Sequence, residues 1–128
     1  MADLGQKPKK HLLIVDDEDA IRDLLKEALA MRGYRTTAVS SAIEADRAIG
    51  EDPPDLIISD LQLEESDGLD MVARLKARVP DTPILLLTGV FFDATVVRDT
   101  LGKHVSAYLH KTSTLDRIVE EVKRLLAK

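Results

Sequence analysis

The chain has 128 residues, of which 45% are hydrophobic and 32% charged, and this balance is typical of a single soluble globular domain. Its formal net charge of −5 at pH 7 argues against a general binder of nucleic acids or anionic membranes. The absence of cysteine excludes disulfides and thiol chemistry, and no apolar run approaches the ~18 residues of a membrane span. We therefore expect a cytoplasmic protein with a flexible tail over residues 1–10 and one domain over residues 11–128.

Apolar runs typical of buried strands alternate along the chain with helical patterns. The first run, Leu12–Val15, precedes a helix whose apolar residues recur at helical spacing over 21–29. Gly33 can close this helix. The later predicted elements are a β-rich stretch from Tyr34 to Val39, a helix opened by a Ser41–Glu44 capping box and ending near Gly50, a strand over 56–59, a turn at Asp67-Gly68, a helix from Leu69 that stops before Pro80, a strand in PILLLTG, a weaker helix over 93–102, a short strand over 107–109 and a C-terminal helix from Leu115 to Leu126.

Five predicted strands alternate with five predicted helices, which indicates an α/β fold with a five-stranded parallel sheet covered by helices on both faces. Crossovers between parallel strands are right-handed, so few topologies remain. Ligands of such doubly wound sheets bind at the carboxyl ends of the strands, beside the point where the strand order reverses.

Polar side chains stand at four of these strand ends. Asp16 and Asp17 follow the first strand, Asp60 follows the third, Thr88 ends the fourth, and Lys111 lies just past the fifth. Because the first and third strands would be neighbours at the switch point, three carboxylates should meet there and repel one another unless a cation neutralises them. Oxygen ligands of this kind suit Mg²⁺.

A carboxylate nucleophile, a divalent cation, a lysine and a hydroxyl together make a site for phosphoryl transfer to an aspartate. Each residue alone is weak support. An acidic helix start, an aspartate before a turn and a surface lysine are all common without any function. The joint placement at one edge of the sheet favours the functional interpretation.

Four segments carry a resemblance to a known family: LLIVDDED, DLIISD, PILLLTG and AYLHK. Over roughly residues 10 to 128 the chain resembles the receiver (phosphoacceptor) domain of two-component response regulators. The resemblance implies a flavodoxin-like (βα)5 fold with strand order 2-1-3-4-5. The roles that it implies are Asp60 as the phosphoacceptor, Asp17 as a direct Mg²⁺ ligand, Asp16 as a second acidic residue acting largely through water, the backbone carbonyl of Gln62 as the third protein ligand, Thr88 and Lys111 as contacts to phosphoryl oxygens, and Tyr108 as a rotating aromatic switch.

The same resemblance implies a signalling partner rather than a small substrate. A sensor histidine kinase or a phosphotransfer protein would supply the phosphoryl group, and the domain would assist only its own phosphorylation and dephosphorylation. Phosphorylation would change one surface, formed by the helix over 93–102, the strand over 107–109 and the C-terminal helix. The same surface would allow a homodimer. Direct nucleic-acid or membrane binding is not expected. The cognate kinase and the output are not encoded in any motif.

The chain departs from the family pattern at three places. Glu64 and Thr112 stand where the family usually has proline, and His104-Val105 replaces a common Gly-Ala pair. Because a cis bond without proline costs ~2.5–4 kcal/mol, we expect a trans peptide bond between Lys111 and Thr112. His11, His104 and His110 have no metal-type spacing, so we interpret them as surface or structural residues. Of Phe91 and Phe92, we expect one to pack under the helix over 93–102, and contact with a partner is the alternative.

Two other functions stay open at this point. A haloacid-dehalogenase-like phosphatase would explain Asp17-Glu18-Asp19 as a D-x-D motif, but only Asp116, Glu120 and Glu121 follow Lys111, all on one helix. A degenerate receiver would dock partners without being phosphorylated, although the complete set of site residues argues against it.

Overall fold

The computed structural model describes residues 9–60, 62–63, 66–89 and 105–127. Several predictions lie outside the described residues: those for the tail up to residue 8, for Glu64, for Phe91 and Phe92, for the helix over 93–102 and for His104. Within the described part of the chain, no helix is long and apolar enough to cross a membrane.

The described elements follow the predicted alternation. They are β1 (His11–Val15), α1 (Asp19–Met31), β2 (Arg35–Val39), α2 (Ala42–Glu51), β3 (Leu56–Ser59), β4 (Gln62–Leu63), β5 (Ser66–Asp67), α3 (Gly68–Arg78), β6 (Ile84–Thr88), β7 (Ala107–His110) and the C-terminal helix (Leu115–Leu126).

The main sheet has five parallel strands in the order β2-β1-β3-β6-β7. Counted among the five strands of that sheet, this is the order 2-1-3-4-5 that the family resemblance implies, so the fold prediction is confirmed. β1 lies between β2 and β3: its Leu13 is opposite Thr37 of β2 on one side and Ile57 of β3 on the other. The strand order reverses between β1 and β3, which places the switch point where the acidic residues were predicted to meet.

The predicted turn at Asp67-Gly68 is wrong. β4 and β5 form a separate antiparallel pair in which Gln62 lies opposite Asp67. Asp67 therefore belongs to a strand, and Gly68 is the first residue of α3. The two-residue strands have no periodicity that a sequence pattern could show.

The end of α1 follows the prediction for Gly33. This glycine has a φ of +94°, a left-handed conformation that suits a residue without a Cβ. Its N–H donates to the carbonyl of Ala30 at 3.0 Å, and the N–H of Tyr34 donates to the carbonyl of Leu29 at 3.3 Å. These two bonds make a Schellman motif, which turns the chain from α1 into β2.

Side-chain caps start two other helices. Ser41 Oγ accepts a hydrogen bond from the N–H of Glu44 at 3.2 Å, as the capping box predicts. Glu44 reaches back one residue further than predicted, because its Oε1 accepts from the N–H of Ser40 at 2.8 Å. At the C-terminal helix, Thr114 Oγ1 accepts from the N–H of Arg117 at 3.1 Å.

Each face of the sheet is covered by helices. On β1 the side chains alternate: Leu12 and Ile14 pack with α1 and the C-terminal helix, whereas Leu13 and Val15 pack with α2 and α3. All four side chains are at most 1% exposed. β1 is thus buried on both faces, and the polar residues that directly follow it lie at the carboxyl edge of the sheet.

Candidate functional site

Backbone hydrogen bonds fix two carboxylates at the carboxyl ends of adjacent strands. The N–H of Asp60, directly after β3, donates to the carbonyl of Val15 at 2.9 Å. The N–H of Asp16, directly after β1, donates to the carbonyl of Val39 at 3.1 Å. Asp16 and Asp60 are only 2% and 3% exposed, so both are held in the sheet edge rather than in a solvated loop.

The predicted acidic group is brought together. Asp16, Asp17 and Asp60 each offer a carboxylate oxygen, and these atoms lie within 4.8 Å of one another. Burial raises the pKa of the Asp16 carboxyl, and the neighbouring Asp60 charge acts in the same direction, against hydrogen bonds from the Glu18 N–H and Lys111. Three close oxygen donors, two of them buried, fit a hard divalent cation such as Mg²⁺.

The side chain of Lys111 extends from the turn after β7 to these aspartates. Its Nζ lies 2.9 Å from Asp60 Oδ2 and 3.1 Å from Asp16 Oδ2, and it also contacts Glu18 Oε1. Burial lowers the pKa of Lys111, but the hydrogen bonds to Glu18, Asp60 and Asp16 more than compensate and leave it raised. Lys111 is therefore a fixed positive charge at the site.

The fourth predicted strand end is next to the same turn. Thr88, the last residue of β6, is fully buried, and its carbonyl accepts a hydrogen bond from the N–H of Lys111 at 2.8 Å. The described residues contain no cis peptide bond, so the bond from Lys111 to Thr112 is trans, as expected.

For two further predicted residues the structure gives the position on a strand. Tyr108 is half-buried on β7 opposite Leu86, two residues before the end of β6. Gln62 starts β4, two residues after Asp60, and the ligand role of its backbone carbonyl stays a prediction.

Sequence reasoning missed two residues of this region. Glu18 holds Lys111 and was counted only as part of an acidic helix start. Its position directly after Asp17 was the available signal. The interpretation of His110 as a surface or structural histidine holds, but it did not place the ring beside Lys111, where it contacts Gly89 and Thr112.

Comparisons with known proteins agree with this geometry. The family described as response regulator receiver domain matches residues 12–123. Response regulator MprA of Mycobacterium ulcerans (strain Agy99) is 30% identical over an alignment of 122 residues that covers 90% of this chain and 49% of that protein. The chain thus spans about half the length of the curated relatives it matches.

Solved structures show the same fold. A CheY-like receiver domain protein from Methanospirillum hungatei JF-1 superposes with a TM-score of 0.86 at 25% identity and covers 94% of this chain and 95% of its own. The receiver domain of NtrX from Brucella abortus gives a TM-score of 0.83 at 28% identity and covers 91% and 98%. These matches favour a receiver over the haloacid-dehalogenase-like alternative. The chain therefore belongs to the family of response regulator receiver domains.

Proposed function

We propose that this receiver domain is a switch that accepts a phosphoryl group on Asp60 from a sensor histidine kinase, a phosphotransfer protein or a small phosphodonor. The observation that carries the proposal is the environment of Asp60. Its buried carboxylate lies beside two further aspartates and 2.9 Å from the ammonium of Lys111. A nucleophilic carboxylate flanked by a cation and by metal-binding oxygens suits phosphoryl transfer.

In the proposed reaction a carboxylate oxygen of Asp60 attacks the phosphorus of the donor. The bond from phosphorus to the donor breaks, the donor leaves with the electron pair, and an acyl phosphate remains on Asp60. Asp16, Asp17, Asp60 and the carbonyl of Gln62 would hold Mg²⁺, which would offset negative charge on the phosphoryl oxygens. In keeping with the resemblance, we assign direct ligation to Asp17 and ligation largely through water to Asp16.

Lys111 and Thr88 would bind the remaining phosphoryl oxygens. Lys111 is positioned by its ion pairs with Asp16 and Asp60 and by its backbone bond to Thr88, and its raised pKa keeps it positively charged. The Thr88 hydroxyl would donate a hydrogen bond to the phosphoryl group. One aspartate accepts one group, so the domain would assist only its own phosphorylation and dephosphorylation and would not be an enzyme acting on a separate substrate.

The partners belong to the same proposal. The kinase or phosphotransfer protein would dock in the cytoplasm, and the net charge of −5 gives this domain no general affinity for nucleic acid. The output would be carried by the surface that includes β7 and the C-terminal helix, which would also serve a homodimer. The effector that reads this surface is not specified by the residues of this domain.

The test is labelling with acetyl phosphate and Mg²⁺, followed by mass spectrometry of the intact protein and its peptides. The native protein should gain one phosphoryl group on the peptide that contains Asp60. Asp60→Asn should abolish labelling, because an amide cannot attack phosphorus as a carboxylate does. Asp81→Asn is the matched control and should leave labelling unchanged, since Asp81 is exposed in the turn before β6, at the other end of that strand from Thr88.

Three results would overturn the proposal. Release of phosphate from the donor that persists in the Asp60→Asn protein would indicate a phosphatase with another nucleophile, and no labelling of the native protein would indicate a degenerate receiver. Full labelling of the Asp60→Asn protein at another residue would show that the acceptor is wrongly assigned.

A further inference from the structure

We propose that His110 is a positioning residue that clamps the turn carrying Lys111 to the end of β6, in place of the proline that the family usually has after this lysine. The inference rests on the proposed function, since its purpose is to fix the Lys111 ammonium relative to Asp60. His110 is the last residue of β7, and Lys111 and Thr112 follow it directly.

The hydrogen bonds of the imidazole define its role. Nε2 lies 3.0 Å from the carbonyl oxygen of Gly89, which can only accept, so Nε2 donates. In the neutral ring Nδ1 is then the acceptor. The N–H of Thr112 points to it at 3.1 Å, and Thr112 Oγ1 lies 2.8 Å away. His110 thus joins the residue after β6 to the residue after Lys111.

The bond from the Thr112 N–H explains why a residue other than proline stands at this position. Proline has no backbone N–H and could not donate to the His110 ring. A proline would restrict the turn through its own ring, which sets φ and constrains the preceding residue. Here the Thr112 donors and the His110 acceptor would supply the restriction instead, so the histidine and the threonine act as one device.

The device acts on Lys111 because it holds the backbone on both sides of this residue. The N–H of Lys111 donates to the carbonyl of Thr88, and the neighbouring His110 ring donates to the carbonyl of Gly89. A Cβ on Gly89 would lie 4.0 Å from Cδ of Lys111, so the lysine stem passes next to the clamped backbone. Small displacements of a charged group at a reacting centre can cost much of its effect.

The first test reads the clamp without phosphorylation. Nitrogen-15 NMR of the native protein should show His110 as a fixed tautomer with Nε2 protonated and Nδ1 hydrogen-bonded as an acceptor. Thr112→Pro removes both donors to Nδ1 and should shift the Nδ1 signal toward that of a nitrogen without a hydrogen bond, while Nε2 stays protonated against the Gly89 carbonyl. Thr112→Ser keeps both donors and should keep the native Nδ1 signal. A mixture of tautomers in the native protein would overturn the proposal, whether or not Asp60 is ever labelled.

The second test measures the labelling rate with acetyl phosphate and Mg²⁺. His110→Phe keeps a ring of similar shape without hydrogen bonds and should slow labelling about fivefold, the effect of losing one ordinary hydrogen bond. Thr112→Pro exchanges the device for the restriction of the proline ring and should label faster than His110→Phe, and Thr112→Ser should keep the native rate. Thr112→Pro introduced into the His110→Phe protein should recover part of the lost rate, because the proline ring restricts the turn without the histidine.

A third comparison asks whether His110 acts through Lys111. In a Lys111→Ala protein, His110→Phe should cause no further loss of labelling rate. Additive losses in the double variant, or a native rate in His110→Phe, would overturn the clamp while leaving Asp60 as the acceptor. A native protein that is never labelled would overturn the proposed function instead, and the tautomer measurement would then decide the clamp alone.

Discussion

Three carboxylates share the single ammonium of Lys111, and they differ in their environment. Asp16 and Asp60 are buried, whereas the side chain of Glu18 is 58% exposed at the rim of the site. An exposed ion pair contributes little to stability. In the proposed reaction Glu18 would therefore compete with an incoming phosphoryl oxygen for Lys111 without being needed to hold the fold.

We predict that Glu18→Gln speeds labelling of Asp60 about threefold, because an exposed ion pair of about 0.2–1 kcal/mol no longer retains Lys111. Asp19→Asn is the matched control. It removes the same charge one residue later, from a side chain that is 85% exposed and paired with Arg22. The rate of labelling with acetyl phosphate is the measurement. Slower labelling of Glu18→Gln, or an equal change in both variants, would show that Glu18 does not restrain Lys111.

The residue types of the site could be predicted from the sequence, whereas their partners could not. Asp16, Asp60 and Lys111 were predicted because each follows a predicted strand, and the carboxyl ends of the strands in a parallel sheet share one edge. The contact between Lys111 and Glu18 joins residues 93 positions apart and depends on how far a flexible side chain reaches. The role of His110 depends on a backbone N–H, which the sequence shows only as the lack of a proline.

Among the elements, the C-terminal helix shows where an amphipathic pattern misleads. Acidic residues of an amphipathic helix are usually solvated, yet Glu121 is only 5% exposed. Its Oε1 accepts from Arg117 at 2.9 Å and its Oε2 from Arg124 Nε at 2.9 Å. The hydrogen bond from Arg124 lowers the pKa of Glu121, with Arg117 in support, against burial, which raises it.

We predict that Glu121→Gln lowers the free energy of unfolding by about 1 kcal/mol at pH 7, the net value of an ordinary hydrogen bond. Because the pKa of Glu121 is lower in the folded protein than its ordinary 4.5, its stabilisation is complete above that value and is lost as the pH falls through the folded pKa. Urea unfolding at pH 7 and at pH 3 measures the difference. The loss in the free energy of unfolding caused by Glu121→Gln should be smaller at pH 3 than at pH 7.

The exposed neighbour provides the control for this helix. Glu120→Gln removes the same charge from an exposed position and should change stability little at either pH. If Glu121→Gln were equally destabilising at both pH values, packing of the side chain rather than its charge would explain the loss.

Most element boundaries were accessible to sequence reasoning because each has a local cause. Gly33 ends α1 through its left-handed conformation, and Ser41 caps α2. The β4–β5 pair was missed, because its strands are too short for a periodic pattern and Asp67-Gly68 has the composition of a turn.

For the whole molecule, the question is how a group on Asp60 would reach a distant surface. β6 and β7 are neighbours in register: Thr88 lies opposite His110, and Leu86 lies opposite Tyr108. Side chains two residues apart on a strand share a face, so Tyr108 and Thr88 lie on the same side of the sheet, one pair apart. Thr88 is fully buried, and Tyr108 is half-buried at the surface. Thr88 and Tyr108 therefore connect the buried site at Asp60 to the surface that includes β7 over a short distance along two paired strands.

We predict that beryllofluoride with Mg²⁺, a mimic of the phosphoryl group, perturbs the NMR signals of Thr88 and Tyr108. The mimic should draw the Thr88 hydroxyl toward Asp60 and leave space into which Tyr108 can rotate. Such a shift needs only a few kcal/mol of difference between the two states. Thr88→Ala lacks the hydroxyl, so it should keep much of the binding, seen at Asp60, yet lose the response of Tyr108.

Thr82→Ala is the matched control. Thr82 precedes β6, so it lies at the other end of that strand from Thr88, and its hydroxyl donates to the carbonyl of Pro54. Its Tyr108 response should equal that of the native protein. If Tyr108 responds equally in the native and Thr88→Ala proteins, the hydroxyl does not couple the two residues. The route would then have to run through the backbone bond from Lys111 to Thr88, which both proteins keep, and the His110→Phe protein would be the one to lose the Tyr108 response.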